Sequence, residues 1–263
     1  MTGRPIAAEN AKATKEAPPD AFGRTAREYE LGRPEWPEEL LDRAAAEASL
    51  EREAQVLDLG AGTGKLTRLL VPRFARVVAV EPDDPMRAVL EEVVPGAEAL
   101  AGRGEAVPLE DESVDAVFSA EAFHWFATDE AVAEIVRVLK PGGALVILWN
   151  YPLAYDDMGT KAEALIEAAF ERGGVPGLGR VLSGEWRRPL ESGAFEELRE
   201  VTLERDLARS RDQWIANMLS VSSIAHQPDE DREAFASRLR ELVPPDRVVQ
   251  GRLRTIAFWT RRV

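Results

Sequence analysis

Val56 to Lys65 reads Val-Leu-Asp-Leu-Gly-Ala-Gly-Thr-Gly-Lys, an acid at Asp58 followed by glycines at 60, 62 and 64. Leu66, Leu69 and Leu70 then fall at helical spacing. The pattern predicts a buried strand, a tight glycine turn and a helix start. A glycine backbone reaches φ > 0 and lets a ligand approach without meeting a Cβ, and the free N–H groups of a helix start make that surface weakly positive. About 20 residues on, Val77-Val78-Ala79-Val80-Glu81 is a β-branched run ending in a carboxylate, where a nucleotide-binding α/β unit holds a ribose. The chemistry predicted is therefore binding of a nucleoside-type ligand, and three versions of it compete. A phosphate-binding P-loop requires four residues between its first Gly and Gly-Lys, then Ser or Thr; this loop encloses three, and Lys65 precedes Leu66. A dinucleotide fingerprint requires Gly-x-Gly-x-x-Gly, where this chain has Gly-x-Gly-x-Gly. The third version needs the surrounding elements first.

Those elements must bring the loop and Glu81 to one edge. Ahead of the first strand, Leu40, Leu41, Ala44, Ala45 and Ala48 form a helical stripe, with Pro37 suited to its first turn. After Glu81, Asp84 is the expected N-cap and Pro85 the first helical residue, with Met86, Val89, Leu90 and Val93 on one face and Pro95-Gly96 as the stop. A short third strand is expected over 97–101, a loop from Gly102 to Leu109, and a buried fourth strand from Val114 to Ala120. A helix follows from Thr128 to Leu139, a sharp turn at Lys140-Pro141-Gly142-Gly143, and a fifth strand from Ala144 to Trp149. Strands alternating with helices at this rhythm imply a parallel sheet covered on both faces, with ligands at the carboxyl ends of its strands. The glycine loop, Glu81, the 102–105 loop and the segment after Ala120 all fall at that edge. Further on, helix is expected over 160–172, loop from Gly173 to Gly179, a helix then a strand within Phe195–Arg205, mostly helix from Gln213 to Leu242 with a break at Gln227-Pro228-Asp229, and a last strand from Arg254 to Arg261. The helical block between those two strands is expected to cap the site.

With 263 residues, 45% hydrophobic and 30% charged, the composition suits one large α/β domain, or one with an inserted cap. Residues 1–20 are expected to be a disordered tail and 21–263 the domain, with its core sheet over about 22–150 and a substrate cap over about 151–263. A net charge of −14 argues against a nucleic-acid backbone as partner. With no Cys and two His (His124 and His226), thiolate chemistry is excluded and a metal cluster is not expected. Nothing approaches a membrane span, and a cytoplasmic protein is the expectation.

Asp58-Leu59-Gly60-Ala61-Gly62-Thr63-Gly64, Glu81-Pro82 and Leu139-Lys140-Pro141-Gly142-Gly143, in this order, resemble a class I S-adenosylmethionine-dependent methyltransferase. Tyr29, Arg33-Pro34, Trp36-Pro37 and Ala122-Phe123-His124-Trp125-Phe126 are similar to the trans-aconitate methyltransferase-like branch. The resemblance covers residues 22–150 well and is general beyond them. It implies a Rossmann-like, doubly wound, mostly parallel seven-stranded sheet with a helical cap in the C-terminal half. It also implies S-adenosylmethionine as cofactor, with Asp58 and Gly60, Ala61, Gly62, Thr63 and Gly64 at its methionine part, Glu81 at the ribose, and Pro82 and Met86 at the adenine. Many relatives have Gly-Asp-Ala-Glu after the third strand; here Gly102-Arg103-Gly104-Glu105 leaves the adenine contact to backbone groups or Glu105. Ala120 would contact the cofactor, Glu121 and Ala122 would lie beside the methyl group, Tyr29 and Arg33 would close over the cofactor, and Phe123, Trp125 and Trp36 would line the substrate pocket. Phe123, Trp125, Tyr29 and Met86 equally fit plain core packing.

A sulfonium methyl is already electrophilic, so alignment of the acceptor is the main task. A carboxylate acceptor needs no base; a hydroxyl would use His124 or Glu121. The reading is methyl transfer to a small molecule, at an oxygen (carboxylate or hydroxyl), with a non-catalytic S-adenosylmethionine-binding protein or an NAD(P)-dependent oxidoreductase as alternatives. Arg33, Arg187 and Arg188 are candidates for holding an acidic substrate, against a solvated or paired role for each. His226 reads as a surface or cap residue.

Overall fold

The computed structural model describes residues 25–161, 164, 165 and 181–263. The proposed tail and the 173–179 loop lie outside the described residues; of the helix expected over 160–172, positions 160, 161, 164 and 165 are helical. Seven strands form one sheet in the order β3-β2-β1-β4-β5-β7-β6. They are β1 (Gln55–Leu59), β2 (Arg76–Val80), β3 (Glu98–Leu100), β4 (Val114–Ala120), β5 (Leu139–Tyr155), β6 (Arg199–Ser210) and β7 (Val248–Arg261). β1 to β5 pair in parallel, and β7 runs antiparallel to both β5 and β6.

The short apolar runs became strands because both faces of the sheet are covered. Alternation sends Leu57 and Leu59 of β1 into one core cluster with Val117, Ile135 and Trp149, and Val56 into the other with Leu40, Leu70 and Phe118. Helices α1 (Ala26–Gly32), α2 (Glu38–Glu47), α3 (Thr67–Leu70), α4 (Asp84–Val93) and α5 (Asp129–Val138) flank the sheet. Thr128 caps α5 by accepting the Ala131 N–H at 3.2 Å.

Several boundaries differ from the sequence reading. Asp83, not Asp84, caps α4, accepting the Met86 N–H at 3.0 Å, while exposed Asp84 pairs with Arg87 at 2.6 Å. Pro37 is itself the cap of α2, which starts at Glu38. The expected turn at 140–143 is absorbed inside β5, which begins at Leu139 with a register shift against β4 and Gly142 at φ +74°. There is no helix at 195–198: Phe195 bridges to Arg262, and β6 follows directly. β5, β6 and β7 run well past the expected ends because they pair with one another as an antiparallel extension, Tyr155 opposite Gly251 and Ser210 opposite Val248.

Between β6 and β7, α6 (Arg211–Leu219), α7 (Ser222–Ala225) and α8 (Asp229–Leu242) fold around Trp214, Ile224, Phe235 and Leu239. The break falls at 226–228, one residue ahead of the expected 227–229 because Asp229 opens α8, and a second, unexpected one separates α6 from α7 at 220–221. α6 crosses α1 so closely that a Cβ on Gly32 would stand 2.0 Å from the Asn217 nitrogen, which only glycine permits. Among the described residues no helix is long and apolar enough to cross a membrane.

Candidate functional site

At the carboxyl edge of β1 the chain turns through Gly60 and Ala61, whose N–H groups donate to the Val80 carbonyl at 2.9 and 3.1 Å. The loop is thus tied to the end of β2 before any ligand arrives. Gly60 and Gly62 have φ of +74° and +57°. A Cβ on Gly60 would stand 2.6 Å from that of Ala122, whereas one on Gly62 would meet only the Tyr29 ring edge at 3.9 Å. Gly60 is a packing requirement; Gly62 faces open space beneath Tyr29. Thr63 donates to Glu30 at 2.7 Å, Lys65 pairs with Glu35 at 2.5 Å, and Arg68 pairs with Glu30. These bonds hold α1, and with it Tyr29, over the loop. They also turn Lys65 away from a phosphate-binding role. Glu30 and Glu35 were not singled out by sequence, since nothing local pairs them with partners 30 or more residues away.

Three carboxyl groups converge here. Asp58 is 1% exposed; Oδ2 accepts from the Thr67 hydroxyl at 2.6 Å and Oδ1 has no hydrogen-bond partner. Burial pushes its pKa up to about 7, against the pull of Thr67 and with a further push from the Glu81 charge. Glu81 is nearly as buried, its Oε2 accepting from the Gly62 N–H at 2.8 Å and Oε1 from the Asp83 N–H at 3.0 Å. Burial raises it to about 7 as well, with the two N–H groups opposing. Glu121 follows β4 in a left-handed conformation, φ +56°, which costs a non-glycine residue about 1–2 kcal/mol. Its side chain accepts the Asn150 N–H at 2.7 Å; burial raises its pKa, with Arg33 opposing. Tyr29 is pushed up to about 12, chiefly by burial, with the charges of Glu121, Glu81 and Asp58 adding. Against these acids stand Arg87, bonded to the Glu81 carbonyl at 2.9 Å, and Arg33, its guanidinium 5.1 Å from the Tyr29 ring centroid and bonded to Ser220 through Nε at 3.1 Å and Nη2 at 3.0 Å. The cleft is short of positive charge.

That shortage has a measurable consequence. Asp58 and Glu81 bind a proton more tightly folded, near pH 7, than unfolded, near pH 4. The stability they contribute is present at low pH and lost as pH rises from about 4.5 through 7, by about 3 kcal/mol for either one. Carboxylates held low by their hydrogen bonds and ion pairs, such as Asp115 and Glu134, titrate below this window. The ligand-free chain is expected to melt at lower temperature at pH 8 than at pH 5.5, as a calorimetric scan at the two values would show.

The remaining predicted residues divide. Met86 is buried against Ala26 and Tyr29, joining α4 to α1, and Pro82 is exposed beside it. Ala61 and Thr63 are buried within the loop, and Gly64 packs under Leu90 and Val94. Gly104 lies under Phe126, where a Cβ would stand 2.5 Å from the ring; Arg103 and Glu105 on either side are exposed. Ala120 ends β4 half-buried. Two assignments to the substrate pocket are corrected. Trp36 is buried in the core with Leu40 and Val201, and Phe123 is fully buried against Phe126 and Trp186. Trp125 stays half-buried, 4.8 Å from the His124 ring. His124 is buried, its Nδ1 accepting from the Trp149 indole at 3.2 Å. His226 donates from Nδ1 to the Ser222 carbonyl at 2.5 Å, at the end of α7. Among the described residues no group of His, Cys, Asp or Glu is arranged to hold a metal.

A family model described as a methyltransferase domain matches residues 57–147. An uncharacterized methyltransferase of Schizosaccharomyces pombe is 34% identical over 221 residues, 82% of this chain and 84% of its own length. An uncharacterized methyltransferase of Mycobacterium tuberculosis is 48% identical over 130 residues, 49% of this chain and 52% of its own, so the match spans about half of that relative. Among solved structures, one from Anaeromyxobacter dehalogenans, assigned provisionally to the type II methyltransferases, superposes with a TM-score of 0.62 at 23% identity, covering 88% of this chain and 97% of its own.

Proposed function

Because this chain belongs to the class I S-adenosylmethionine-dependent methyltransferase family, we propose that it binds S-adenosylmethionine along the carboxyl edge of β1, β2 and β4 and methylates a small-molecule acceptor at oxygen. The observation that carries this reading is the charge of the cleft. Asp58, Glu81 and Glu121 surround the glycine loop, opposed only at a distance by Arg33 at Glu121 and Arg87 at Glu81, and Asp58 Oδ1 is a buried acceptor with no partner. A ligand with a sulfonium and an ammonium supplies the missing positive charge. A dinucleotide would bring its diphosphate against these same acids, which disfavours the oxidoreductase reading.

When bound, S-adenosylmethionine supplies an electrophilic methyl carbon. The chain's own residues do the rest. Asp58 and the 60–64 backbone hold the methionine part, and Glu81 accepts from the ribose hydroxyls. Pro82, Met86 and the Arg103–Gly104–Glu105 loop border the adenine. Tyr29 and Arg33, held down by α6 through Ser220, exclude water from above. Glu121, Ala120 and Trp125 border the acceptor, which they orient in line with the methyl carbon, an alignment that supplies up to roughly 7–11 kcal/mol in favourable cases. The described segments 25–161 and 181–263 form the catalytic domain, with β5–β7 and α6–α8 choosing the substrate.

Calorimetric titration with S-adenosylmethionine, S-adenosylhomocysteine and NADH tests the proposal. The first two are expected to bind and NADH to give no heat; NADH binding alone overturns it. Gly62→Ala sharpens the test. Its methyl group meets nothing closer than 3.9 Å in the free chain, so stability falls only by the left-handed penalty of about 1–2 kcal/mol. In the complex the methyl occupies ligand space, and affinity is expected to fall about tenfold to a hundredfold, the 1–3 kcal/mol of an overpacked contact.

A further inference from the structure

Past the carboxyl edge of the parallel strands, β5, β7 and β6 continue as the antiparallel extension. Alternation along β6 puts Val201, Leu203, Arg205, Leu207 and Arg209 on one face. Val201 and Leu203 join the core beside α2; further out the same face carries two arginines. Arg209 is 5% exposed, its Nε and Nη1 are buried without a hydrogen-bond partner, and no ion pair reaches it among the described residues. Arg205 gives one N–H to the Glu35 carbonyl while its Nε is buried and unpartnered. Arg33 approaches from the end of α1, anchored on Ser220. It lies within electrostatic reach of both Arg209 and Glu121, which ties the outer arginines to the methyl-transfer edge. Burial brings the Arg209 guanidinium down to about 10, opposed by Tyr155 and aided by the charges of Arg33 and Arg205, so it stays protonated at neutral pH.

A structural arginine in this protein looks different. Arg137 spends its donors on the carbonyls of Val107 and Leu109 and on Glu134 and Asp111. A buried guanidinium with idle donors and two like charges beside it is costly unless an anion meets it. Its planar fork matches the paired oxygens of a carboxylate or phosphate.

We propose that Arg209, flanked by Arg205 and Arg33, is the receptor for an anionic group of the methyl acceptor, a carboxylate or a phosphate. This rests on the methyltransferase reading above and deepens it: the acceptor is an acid, its charged end held at Arg209 and its reacting atom near Glu121.

The test titrates citrate, inorganic phosphate and, as neutral control, glycerol into the full-length protein saturated with S-adenosylhomocysteine, for the wild type and for Arg209→Met. Citrate or phosphate is expected to bind the wild type and to bind Arg209→Met at least tenfold more weakly, with glycerol silent. Which anion binds tells carboxylate from phosphate. S-adenosylhomocysteine is expected to bind both proteins equally, and the ligand-free variant to melt no lower than wild type, since it loses a buried unpaired charge. Equal anion binding by the two proteins, or none by a wild type that binds S-adenosylhomocysteine, overturns the proposal. Arg209-dependent citrate binding without any S-adenosylhomocysteine binding would sink the cofactor reading and leave the anion site standing. Should Arg209→Met fail to fold, Arg209→Lys, which keeps the charge and loses the fork, is expected to weaken binding in the same sense.

Discussion

Glu81→Ala is expected to weaken S-adenosylhomocysteine binding by about 10²–10⁴-fold. Each carboxylate oxygen of Glu81 already accepts one backbone N–H, from Gly62 and Asp83, which fixes the carboxylate plane and leaves one acceptor position on each oxygen. Two ribose hydroxyls would use both. Charge-assisted bonds of this kind contribute roughly 1.5–3 kcal/mol each, and the sum of two converts to that range of dissociation constants. Glu81→Gln keeps the volume and loses the charge, so it should fall between wild type and alanine. Both variants also remove a carboxyl whose pKa burial has raised to about 7. The loss of melting temperature between pH 5.5 and 8 should therefore shrink in either. Affinity within threefold of wild type in Glu81→Ala would place the ribose elsewhere.

Why Glu81 could be named from sequence, and Arg209 could not, follows from how each is positioned. Glu81 sits one residue past a buried β-branched strand, and parallel α/β sheets present such residues at their ligand edge. The same rule covers the glycine loop, Glu121 and the 102–105 loop, and β1, β2 and β4 were legible because their continuous apolar runs reflect burial on both faces. Arg209 depends on strands whose outer halves are polar on one face and short of apolar residues on the other, so Asp206-Leu207-Ala208-Arg209 gives no strand signal of its own. Pairing with β7 makes it a strand, and that pairing is a tertiary fact. Trp36 and Phe123 went astray for the opposite reason. Aromatic residues beside a ligand edge read the same whether they face a pocket or the core, and here α2 and the Trp186 layer bury them. The ties from Glu30, in α1, and Glu35, in the loop after it, to the glycine loop were invisible because single acids at such positions read as ordinary surface residues.

Trp149→Ala is expected to cost about 3–5 kcal/mol of stability, as for a fully buried tryptophan. Trp149 is 1% exposed, with Trp186 at 4.5 Å and Phe258 at 5.9 Å between ring centroids. Against the roughly 5–15 kcal/mol that hold an ordinary domain, this loss should appear as a drop of about 10 °C or more in a thermal scan. Trp149→Phe is the more informative change. An indole N–H can only donate, so His124 Nδ1 must be the acceptor and the neutral ring carries its proton on Nε2. A ring held this way takes up a proton only by releasing Trp149, which makes it a poor general base and a good donor or spacer. Trp149→Phe keeps the apolar packing but removes the indole's hydrogen bond to Nδ1, a loss of about 0.5–1.5 kcal/mol. Trp149→Phe is therefore expected to melt between wild type and Trp149→Ala, and a Trp149→Phe as unstable as Trp149→Ala would refute the packing account.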